Sequence, residues 1–261
     1  MKLTLLGGGR MGEALLGGLL AAGWAEPAEL AVVELSAPRR DELAGRFPGV
    51  AVSDVPRASD GAVIAVKPAD VPAACASLAA AGVGSVLSIA AGVTIGALER
   101  GLGPGTAVIR AMPNTPALVG AGAAAIAAGS AAGEAELAWA ESILRAVGTV
   151  VRVPEDLLDA VTGLSGSGPA YVFLVVEALV DAGVHVGLPR AVASALATQT
   201  LLGSARLLVE SGELPAVLRE QVTSPGGTTA AGLRVLEAHG LRAAFVEAVV
   251  AATARSAELG A

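Results

Sequence analysis

A glycine-rich segment near the N-terminus constrains the fold of this chain more than any other feature. Gly7-Gly8-Gly9-Arg10-Met11-Gly12 follows the apolar run Leu3–Leu6 and opens the helical pattern Met11–Ala22. It matches the pattern G-x-G-x-x-G in the strand, turn and helix context of a dinucleotide-binding fold. We therefore expect a Rossmann-type βαβ unit that binds NADH or NADPH.

Each glycine of this motif has its own expected role. Gly7 permits a tight turn, Gly9 lets a pyrophosphate approach the backbone, and Gly12 allows close packing of helix on strand. The N-terminus of the following helix presents free N–H groups and a positive dipole end to the phosphates. A phosphate-binding loop of the kinase type is excluded, because Glu13-Ala14 stands where that motif needs Lys and then Ser or Thr.

The residues after the second predicted strand leave the choice between NADH and NADPH open. Glu34 follows Gly12 by about 20 residues, the position from which a carboxylate accepts the ribose 2′-hydroxyl of NAD. Ser36, Arg39 and Arg40 come immediately after it and are suited to hold a 2′-phosphate instead. The two features point to different dinucleotides.

Short apolar runs alternate with Ala/Leu-rich helical patterns over roughly the first 150 residues. This alternation predicts a parallel sheet covered by helices on both faces. The predicted strands are Leu3–Leu6, Leu30–Glu34, Val50–Val52, Ala62–Val66, Ser85–Ile89, Ala107–Arg110, Ala123–Ala127 and Thr149–Val153.

The strand signal stops at about Pro154, and only helical periodicity follows. The predicted helices are Asp156–Leu164, Ala170–Ala182, Arg190–Ser211, Leu214–Val222, Thr229–His239 and Leu241–Leu259. Pro154, Pro169, Pro189 and Pro215 each lie at a predicted helix start, where the missing N–H does no harm. We therefore expect an α/β fold: a Rossmann-type doubly wound sheet over residues 1–153, followed by an all-α domain over residues 154–261.

The composition of the chain limits which binding partners and which cellular compartment are expected. Hydrophobic residues make up 54% of the chain. The long uncharged run Ala111–Gly133 contains prolines, Asn114 and four glycines, so broken, buried βα segments are expected rather than a membrane span. The net charge of −7 and the lack of a basic tract argue against nucleic acid. Cys75 is the single cysteine, and Lys2–Leu6 already resembles a strand, so a cytoplasmic protein without a targeting segment is expected.

Three further loops follow predicted strands at the carboxyl edge of the sheet, where open parallel sheets bind ligands. They are Ala65–Pro68, Ser88–Gly92 and Arg110–Pro116. Together with the glycine-rich turn they predict one continuous crevice for the dinucleotide. The predicted cofactor-binding residues are Gly7, Gly9, Arg10, Met11, Gly12, Glu34, Ser36, Arg39, Ala65, Val66, Lys67, Pro68, Ala90 and Asn114.

Two loops in the helical half are rich in glycine and hydroxyl residues, namely residues 163–171 and 222–229. Ser224-Pro225-Gly226-Gly227-Thr228-Thr229 precedes a helix, and such a helix start forms an anion site suited to a small carboxylate. Ser165–Pro169 is a second helix start that lines the same expected pocket. The predicted substrate-binding residues are Ser165, Ser167, Gly168, Ser224, Gly227, Thr228 and Thr229.

Taken in order, these motifs make the chain resemble pyrroline-5-carboxylate reductase from Leu3 to about Glu237. The resemblance implies a Rossmann domain, an all-α dimerisation domain, and the reduction of 1-pyrroline-5-carboxylate to L-proline by NADPH or NADH. It also implies that Thr229 lies in the substrate site. The second-strand loop, Glu34–Arg39, departs from the Ser/Asn/Arg cluster often found in the family, so the resemblance does not decide between NADH and NADPH.

The residues fit imine reduction without the family name. A carbonyl usually needs a positioned proton donor, whereas an imine can arrive protonated and is already electrophilic. His185 and His239 are the only histidines and both lie near predicted helix ends, so a Ser–His triad is not expected. The hydroxyl of Thr229 is the predicted catalytic group, as a hydrogen-bond partner of the imine nitrogen. No metal is expected.

Two questions stay open in the sequence. The run Tyr171–Val176 is apolar on every face of its helix, so either the core of the chain or a partner subunit must cover it. We expect a homodimer or a higher assembly of dimers. The alternatives to the reductase are a β-hydroxyacid dehydrogenase, a deazaflavin-dependent NADP reductase and a nucleotide-sensing protein without catalysis; the first is weakened because no lysine follows Lys67.

Overall fold

The computed structural model describes residues 1–260. The chain forms two compact units: the first contains residues 1–167 and the segment from Val250 onward, and the second contains residues 168–249. The predicted domain boundary between Val153 and Pro154 stays a prediction.

The first unit is built on an eight-stranded sheet, and all eight predicted strands form with shifts of at most two residues at their ends. The strands are β1 (Leu3–Leu6), β2 (Leu30–Val33), β3 (Ala51–Ser53), β4 (Gly61–Ile64), β5 (Ser85–Ser88), β6 (Ala107–Met112), β7 (Gly122–Ala128) and β8 (Gly148–Arg152). Their spatial order is β3-β2-β1-β4-β5-β6-β7-β8. Strands β1 to β6 are parallel, so the carboxyl ends of β1, β2, β4 and β5 meet at one edge.

The sheet is mostly parallel, as predicted, and departs from this arrangement at one edge. Strand β7 pairs antiparallel with β6, for example Ala111 with Ile126, and β8 then pairs parallel with β7. The connection between β6 and β7 holds only a short 3₁₀ turn, Thr115–Val119, and Gly120 in a left-handed conformation at φ 71°. A parallel return needs a longer crossover, usually a full helix, so the chain reverses direction here.

Helices cover both faces of the sheet, which confirms the doubly wound arrangement. They are α1 (Arg10–Ala21), α2 (Ala37–Arg46), α3 (Val71–Ala80), α4 (Ile95–Leu102) and α5 (Glu134–Arg145). On one face, Leu15 and Leu19 of α1 and Ile143 of α5 join a core cluster with inward residues of β1 and β6. On the other face, Leu78 of α3 and Leu98 of α4 form a second cluster.

The predicted helix Asp156–Leu164 is wrong in detail, because the segment changes helix type twice. A 3₁₀ turn at Glu155–Leu157 leads into the short α6 (Leu158–Val161) and then a π-helical turn, Thr162–Gly166. The N–H of Ser167 donates to the carbonyl oxygen of Thr162, a wider spacing than an α-helix uses. A side chain at Gly166 would meet Met112 at 2.7 Å, so glycine lets this turn approach the end of β6.

The second unit is helical, as predicted. It contains α7 (Gly168–His185), α8 (Arg190–Ser211), α9 (Pro215–Gln221), α10 (Thr228–Ala238) and the first half of α11 (Leu241–Gly260). Helices α7 and α8 form a hairpin in which Gly183 approaches Ala193, and an added Cβ at Gly183 would lie 2.9 Å from that of Ala193. All four prolines predicted at helix starts lie there.

The second unit leaves most of its apolar side chains exposed. Val180 and Ala193 are its buried hydrophobic residues, whereas Phe173 and Leu174 are 62% and 65% exposed. The core of this chain therefore leaves Val172, Phe173 and Leu174 exposed, so complete burial of the run Tyr171–Val176 in that core is wrong. Two helical stretches, residues 155–185 and α8, are also long and apolar enough to span a membrane by length and composition alone.

Candidate active site

The glycine-rich turn joins β1 to α1 at the carboxyl edge of the sheet. Gly7 has φ 105°, and a Cβ there would lie 2.6 Å from the carbonyl oxygen of Ala65, at the end of β4. A Cβ on Gly12 would collide with the carbonyl oxygen of Gly7. Both glycines are thus required by the packing of the turn itself, in the way the motif predicts.

Gly9 differs from its neighbours because no internal contact requires a glycine. An added Cβ at Gly9 would meet no atom within 4 Å, and its backbone has an ordinary extended conformation at φ −69°. Gly9 is the cap residue of α1, so the first N–H groups of the helix lie beside this open space. Open space at a helix N-terminus, bordered by a residue without a side chain, fits a bound pyrophosphate.

A cavity of about 470 Å³ opens next to this turn at the carboxyl ends of β1, β2 and β4. It contains six of the predicted cofactor-binding residues: Gly7, Gly9, Glu34, Ala65, Val66 and Lys67. Its volume and its place at the switch point of the strand order are typical of a dinucleotide site.

The cavity also has lining residues that sequence reasoning missed. They are Leu6, Val33, Leu35, Asp54, Val55, Pro56, Asp70, Ala73, Ala74 and Ser77. Asp54-Val55-Pro56 follows β3 directly, so the rule that located the other loops would have found it. The contribution of α3, through Ala73, Ala74 and Ser77, has no comparable signal, because these small residues also suit a buried helix face.

Glu34 lies at the end of β2 and lines the cavity. Its Oε2 accepts the N–H of Gly8 at 3.1 Å, and its Oε1 accepts the N–H of Ser36 at 2.9 Å. The carboxylate therefore bridges the glycine-rich turn and the start of α2. Each oxygen keeps a second lone pair, so the group remains able to accept a hydroxyl proton.

Arg39, a predicted cofactor-binding residue, is held by groups of the chain itself. Its Nε donates to the carbonyl oxygen of Gly8 at 2.8 Å, and its guanidinium pairs with Glu13 and, at 2.6 Å, with Glu42. These hydrogen bonds, first from Glu42 and then from Glu13, raise the pKa of Arg39 above its ordinary value. Neither Arg39 nor Ser36 lines the cavity, although both lie beside Glu34.

Four other predicted cofactor-binding residues lie near the glycine-rich turn or the sheet edge but outside the cavity lining. Arg10 is exposed and borders a second groove, of about 500 Å³, along α1. Met11 packs against the core, and Pro68 begins a 3₁₀ turn after Lys67. Ala90 is buried, and its N–H donates to Oγ of Ser88 at 3.3 Å.

Asn114 connects the end of β6 to the π-helical turn. Its Nδ2 donates to the carbonyl oxygen of Ser165 at 3.0 Å, and its Oδ1 accepts the N–H of Ala123 at 2.8 Å. The structure thus brings Asn114 and Ser165 together. The side-chain amide of Asn114 hydrogen-bonds to the backbone of the π-helical turn and to the backbone of β7. The hydroxyl of Ser165 donates back to the carbonyl oxygen of Val161 at 3.1 Å.

The remaining predicted substrate residues lie at two helix starts. Ser167 and Gly168 stand where the π-helical turn passes into α7. In the second unit, Ser224 and Gly227 form a turn in which the Gly227 N–H donates to the Ser224 carbonyl oxygen at 3.0 Å. The turn leads directly into α10.

Thr228 and Thr229 are the first two residues of α10, one residue earlier than predicted, and Gly227 is the cap. Gly226 has φ 68°, and a Cβ at Gly227 would collide with Oγ of Ser224. The two glycines therefore allow a compact turn that ends at the first N–H groups of the helix, which is the geometry of an anion site.

Strong acid–base groups do not gather in these loops. Of the two histidines, His185 ends α7 and His239 follows α10. Within residues 1–260, no group of three or more His, Cys, Asp or Glu side chains is placed to hold a metal ion.

Comparison with known families gives two matches along the chain. The model for pyrroline-5-carboxylate reductase dimerisation matches residues 155–259, and the model for coenzyme F420-dependent NADP oxidoreductase matches residues 2–92. A pyrroline-5-carboxylate reductase from Synechocystis is 51% identical over 265 residues, which cover 100% of this chain and 98% of that protein.

Solved structures of pyrroline-5-carboxylate reductases are also similar to this chain over its whole length. A pyrroline-5-carboxylate reductase from Coxiella burnetii superposes with a TM-score of 0.95 at 39% identity, covering 100% of this chain and 98% of the other. A pyrroline carboxylate reductase from Plasmodium falciparum, solved with NADP bound, superposes with a TM-score of 0.85 at 30% identity and with the same coverage.

Proposed function

The chain belongs to the pyrroline-5-carboxylate reductase family, and from this premise we propose that it reduces 1-pyrroline-5-carboxylate to L-proline with NADPH or NADH. One hydride adds to the imine carbon and one proton to the nitrogen, so the C=N bond becomes a C–N single bond. The observation that carries the proposal is the open space at Gly9 beside the cavity of about 470 Å³. Packing explains Gly7 and Gly12, whereas no contact within the chain requires a glycine at position 9, and a pyrophosphate lying against the backbone would.

The residues around this cavity fit a nicotinamide dinucleotide. When bound, the dinucleotide supplies the hydride. Gly9 and the N-terminus of α1 receive the pyrophosphate, and Glu34 receives the adenosine ribose. Ala65, Val66 and Lys67, at the end of β4, border the same space and position the rest of the cofactor. The bridge from Asn114 to Ser165 holds the loop after β6 against the π-helical turn.

The loop before α10 is proposed as the substrate site. The backbone N–H groups at Gly227 and Thr228 receive the substrate carboxylate, and the hydroxyl of Thr229 hydrogen-bonds the imine nitrogen. Ser165, Ser167, Gly168 and Ser224 remain predicted substrate-binding residues. Because the imine can arrive protonated, binding and orientation supply most of the catalysis, and no strong acid is required.

We also propose that the functional domains are residues 1–153 and 154–261, and that the protein acts in the cytoplasm as a homodimer or a higher assembly of dimers. The exposed apolar helices of the second unit support the assembly, because large apolar patches exposed on a single chain are typical of protein–protein interfaces. The dimerisation match over residues 155–259 supports self-association rather than a membrane as their cover. The net charge of −7 argues against a nucleic-acid partner.

The full-length relatives favour this reaction over the alternatives. The F420-dependent NADP oxidoreductase model matches residues 2–92 only, the part that contains the glycine-rich turn. No observation favours a β-hydroxyacid dehydrogenase or a nucleotide sensor over the reductase.

A steady-state assay with 1-pyrroline-5-carboxylate, followed by the nicotinamide absorbance, tests the proposal. Turnover with NADH or NADPH is expected, and Thr229→Val should lower it while cofactor binding persists. Turnover of a hydroxy acid but not of the imine would identify a dehydrogenase, and cofactor binding without any turnover would identify a sensor. Either result would overturn the proposed reaction.

A further inference from the structure

The corner between β2 and α2 holds a carboxylate at the edge of the dinucleotide cavity. Glu34 lines the cavity, and its two oxygens accept the backbone N–H groups of Gly8 and Ser36 at 3.1 and 2.9 Å. An anion that bound at this corner from solvent would need these two N–H groups as hydrogen-bond donors. In this structure an anion of the chain itself, the Glu34 carboxylate, already accepts from both.

The first arginine near this corner is committed to other groups. Arg39 donates through Nε to the carbonyl oxygen of Gly8 at 2.8 Å, and its guanidinium pairs with Glu13 and Glu42. Arg46 also pairs with Glu13, so two guanidinium groups and two carboxylates balance and the cluster has no net positive charge to offer. Its side chain is also only about one-fifth exposed, so turning it toward a ligand would break several bonds at once.

The second arginine is oriented by backbone groups. Arg40 donates through Nη1 to the carbonyl oxygens of Glu34 and Leu35, both at 2.8 Å. It therefore acts as a brace for the loop that presents Glu34, and it does not line the cavity.

The charges that do line the cavity are mostly negative. Glu34, Asp54 and Asp70 contribute three carboxylates, and Lys67 contributes the single ammonium group. A phosphate monoester carries about −1.5 to −2 charges at pH 7, so adding one here brings like charges together. A ribose hydroxyl carries no charge and can donate a hydrogen bond to Glu34.

On this basis we infer that Glu34 makes the enzyme selective for NADH over NADPH. This inference rests on the proposed function, since it assigns the adenosine ribose to the Glu34 end of the cavity. Glu34 is the specificity-determining residue, and the ion pairs of Arg39 with Glu13 and Glu42 maintain the preference by keeping that arginine from a 2′-phosphate.

The test is a titration of the full-length protein with NADH and with NADPH, followed by nicotinamide fluorescence at low ionic strength. NADH should bind at least about tenfold more tightly, because like charges repel across a short distance. Equal binding, or tighter binding of NADPH, would overturn the inference while leaving the reductase proposal intact. If neither dinucleotide binds, the proposed function fails together with the inference.

Glu34→Gln separates charge from shape. The variant should bind NADPH about tenfold more tightly than the wild type does, and NADH somewhat more weakly. Asp41→Asn is the matched control: it makes the same charge change on α2 but does not line the cavity, and the ratio of the two affinities should stay at its wild-type value. A folded Glu34→Gln protein with an unchanged ratio would contradict the inference, and if this variant does not fold, the wild-type ratio decides.

Discussion

The side-chain amide of Asn114 donates a 3.0 Å hydrogen bond to the carbonyl oxygen of Ser165, 51 residues further along the chain. Its other end accepts the N–H of Ala123 at 2.8 Å. One side chain thus ties the end of β6 and the start of β7 to the π-helical turn that precedes the helical unit. π-Helical turns are rare, and those that occur often lie at functional sites. The hydrogen bonds of Asn114 fix the geometry of a turn that contains Ser165, a predicted substrate-binding residue.

Removing this tie should destabilise the protein. Asn114→Ala leaves the N–H of Ala123 and the carbonyl oxygen of Ser165 without their partner, which we expect to cost about 1–3 kcal/mol in the free energy of unfolding. Urea unfolding measures the loss. Asn114→Asp keeps the acceptor for Ala123 but sets a carboxylate against the Ser165 carbonyl, so it should be destabilised as well. The neighbouring exposed Thr115→Ala is the control, and a similar loss there would argue against the bridge.

Substitution of Gly7 should lower the stability of the protein, whereas substitution of Gly9 should lower its affinity for the cofactor. Gly9→Asp should fold normally, because a Cβ there meets no atom within 4 Å, but its charge should weaken NADH and NADPH binding by at least about tenfold. Gly7→Ala should lose stability, at least about 1–2 kcal/mol from its φ of 105° alone. Thermal melting and cofactor titration of both variants distinguish the two effects. Unchanged affinity in Gly9→Asp would mean that the turn is structural only.

Thr229→Val should lower kcat with little effect on cofactor affinity. The substitution keeps the β-branched shape and removes the hydroxyl, and a hydrogen bond to a charged group is worth roughly 1.5–3 kcal/mol. If that bond forms chiefly as the hydride arrives, kcat falls about tenfold to a hundredfold. Steady-state kinetics with 1-pyrroline-5-carboxylate provide the measurement.

The neighbouring threonine provides the control for this assignment. Thr228→Val should retain wild-type kcat, because its backbone N–H rather than its hydroxyl is the expected contact with the substrate carboxylate. If Thr228→Val loses activity and Thr229→Val does not, the two roles are exchanged. If neither variant changes kcat or KM, the loop before α10 is not the substrate site.

The exposed apolar face of α7 should hold subunits together. Phe173→Glu places a charge on a side chain that is 62% exposed in the single chain, so we expect a fall in molar mass by light scattering at micromolar concentration. Val151→Glu, on β8 of the first unit, changes a residue that is 58% exposed and should leave the mass unchanged. A wild-type protein that is already monomeric would contradict the proposed assembly.

The sequence by itself determined the local elements and their order. The glycine motif after Leu3–Leu6, the eight apolar runs and the change to helical periodicity at Pro154 all rest on short-range rules: strand alternation, turn geometry and helix starts. Those rules also placed Gly7, Gly9, Glu34, Ala65 and the residues after it at one sheet edge, because the carboxyl ends of parallel strands must meet there.

Only the tertiary structure decided which side chains are available to a ligand. Arg39 resembled a phosphate-binding residue in sequence, but its partner Glu13 lies 26 residues away and no local pattern announces that pair. Asn114 likewise resembled a cofactor residue, yet both of its contacts come from other segments. Hydrogen bonds of this kind depend on which elements fold next to each other.

The direction of β7 and the exposure of α7 were decided in the same way. The apolar run that predicts β7 carries no direction, and the antiparallel return is evident only from the pairing of β7 with β6 across a connection too short for a parallel crossover. The hydrophobicity of Tyr171–Val176 required a cover, but the sequence did not distinguish a core from a second subunit. The helix has the same apolar pattern whether the core of the chain or a second subunit covers it, so the pattern alone cannot distinguish the two.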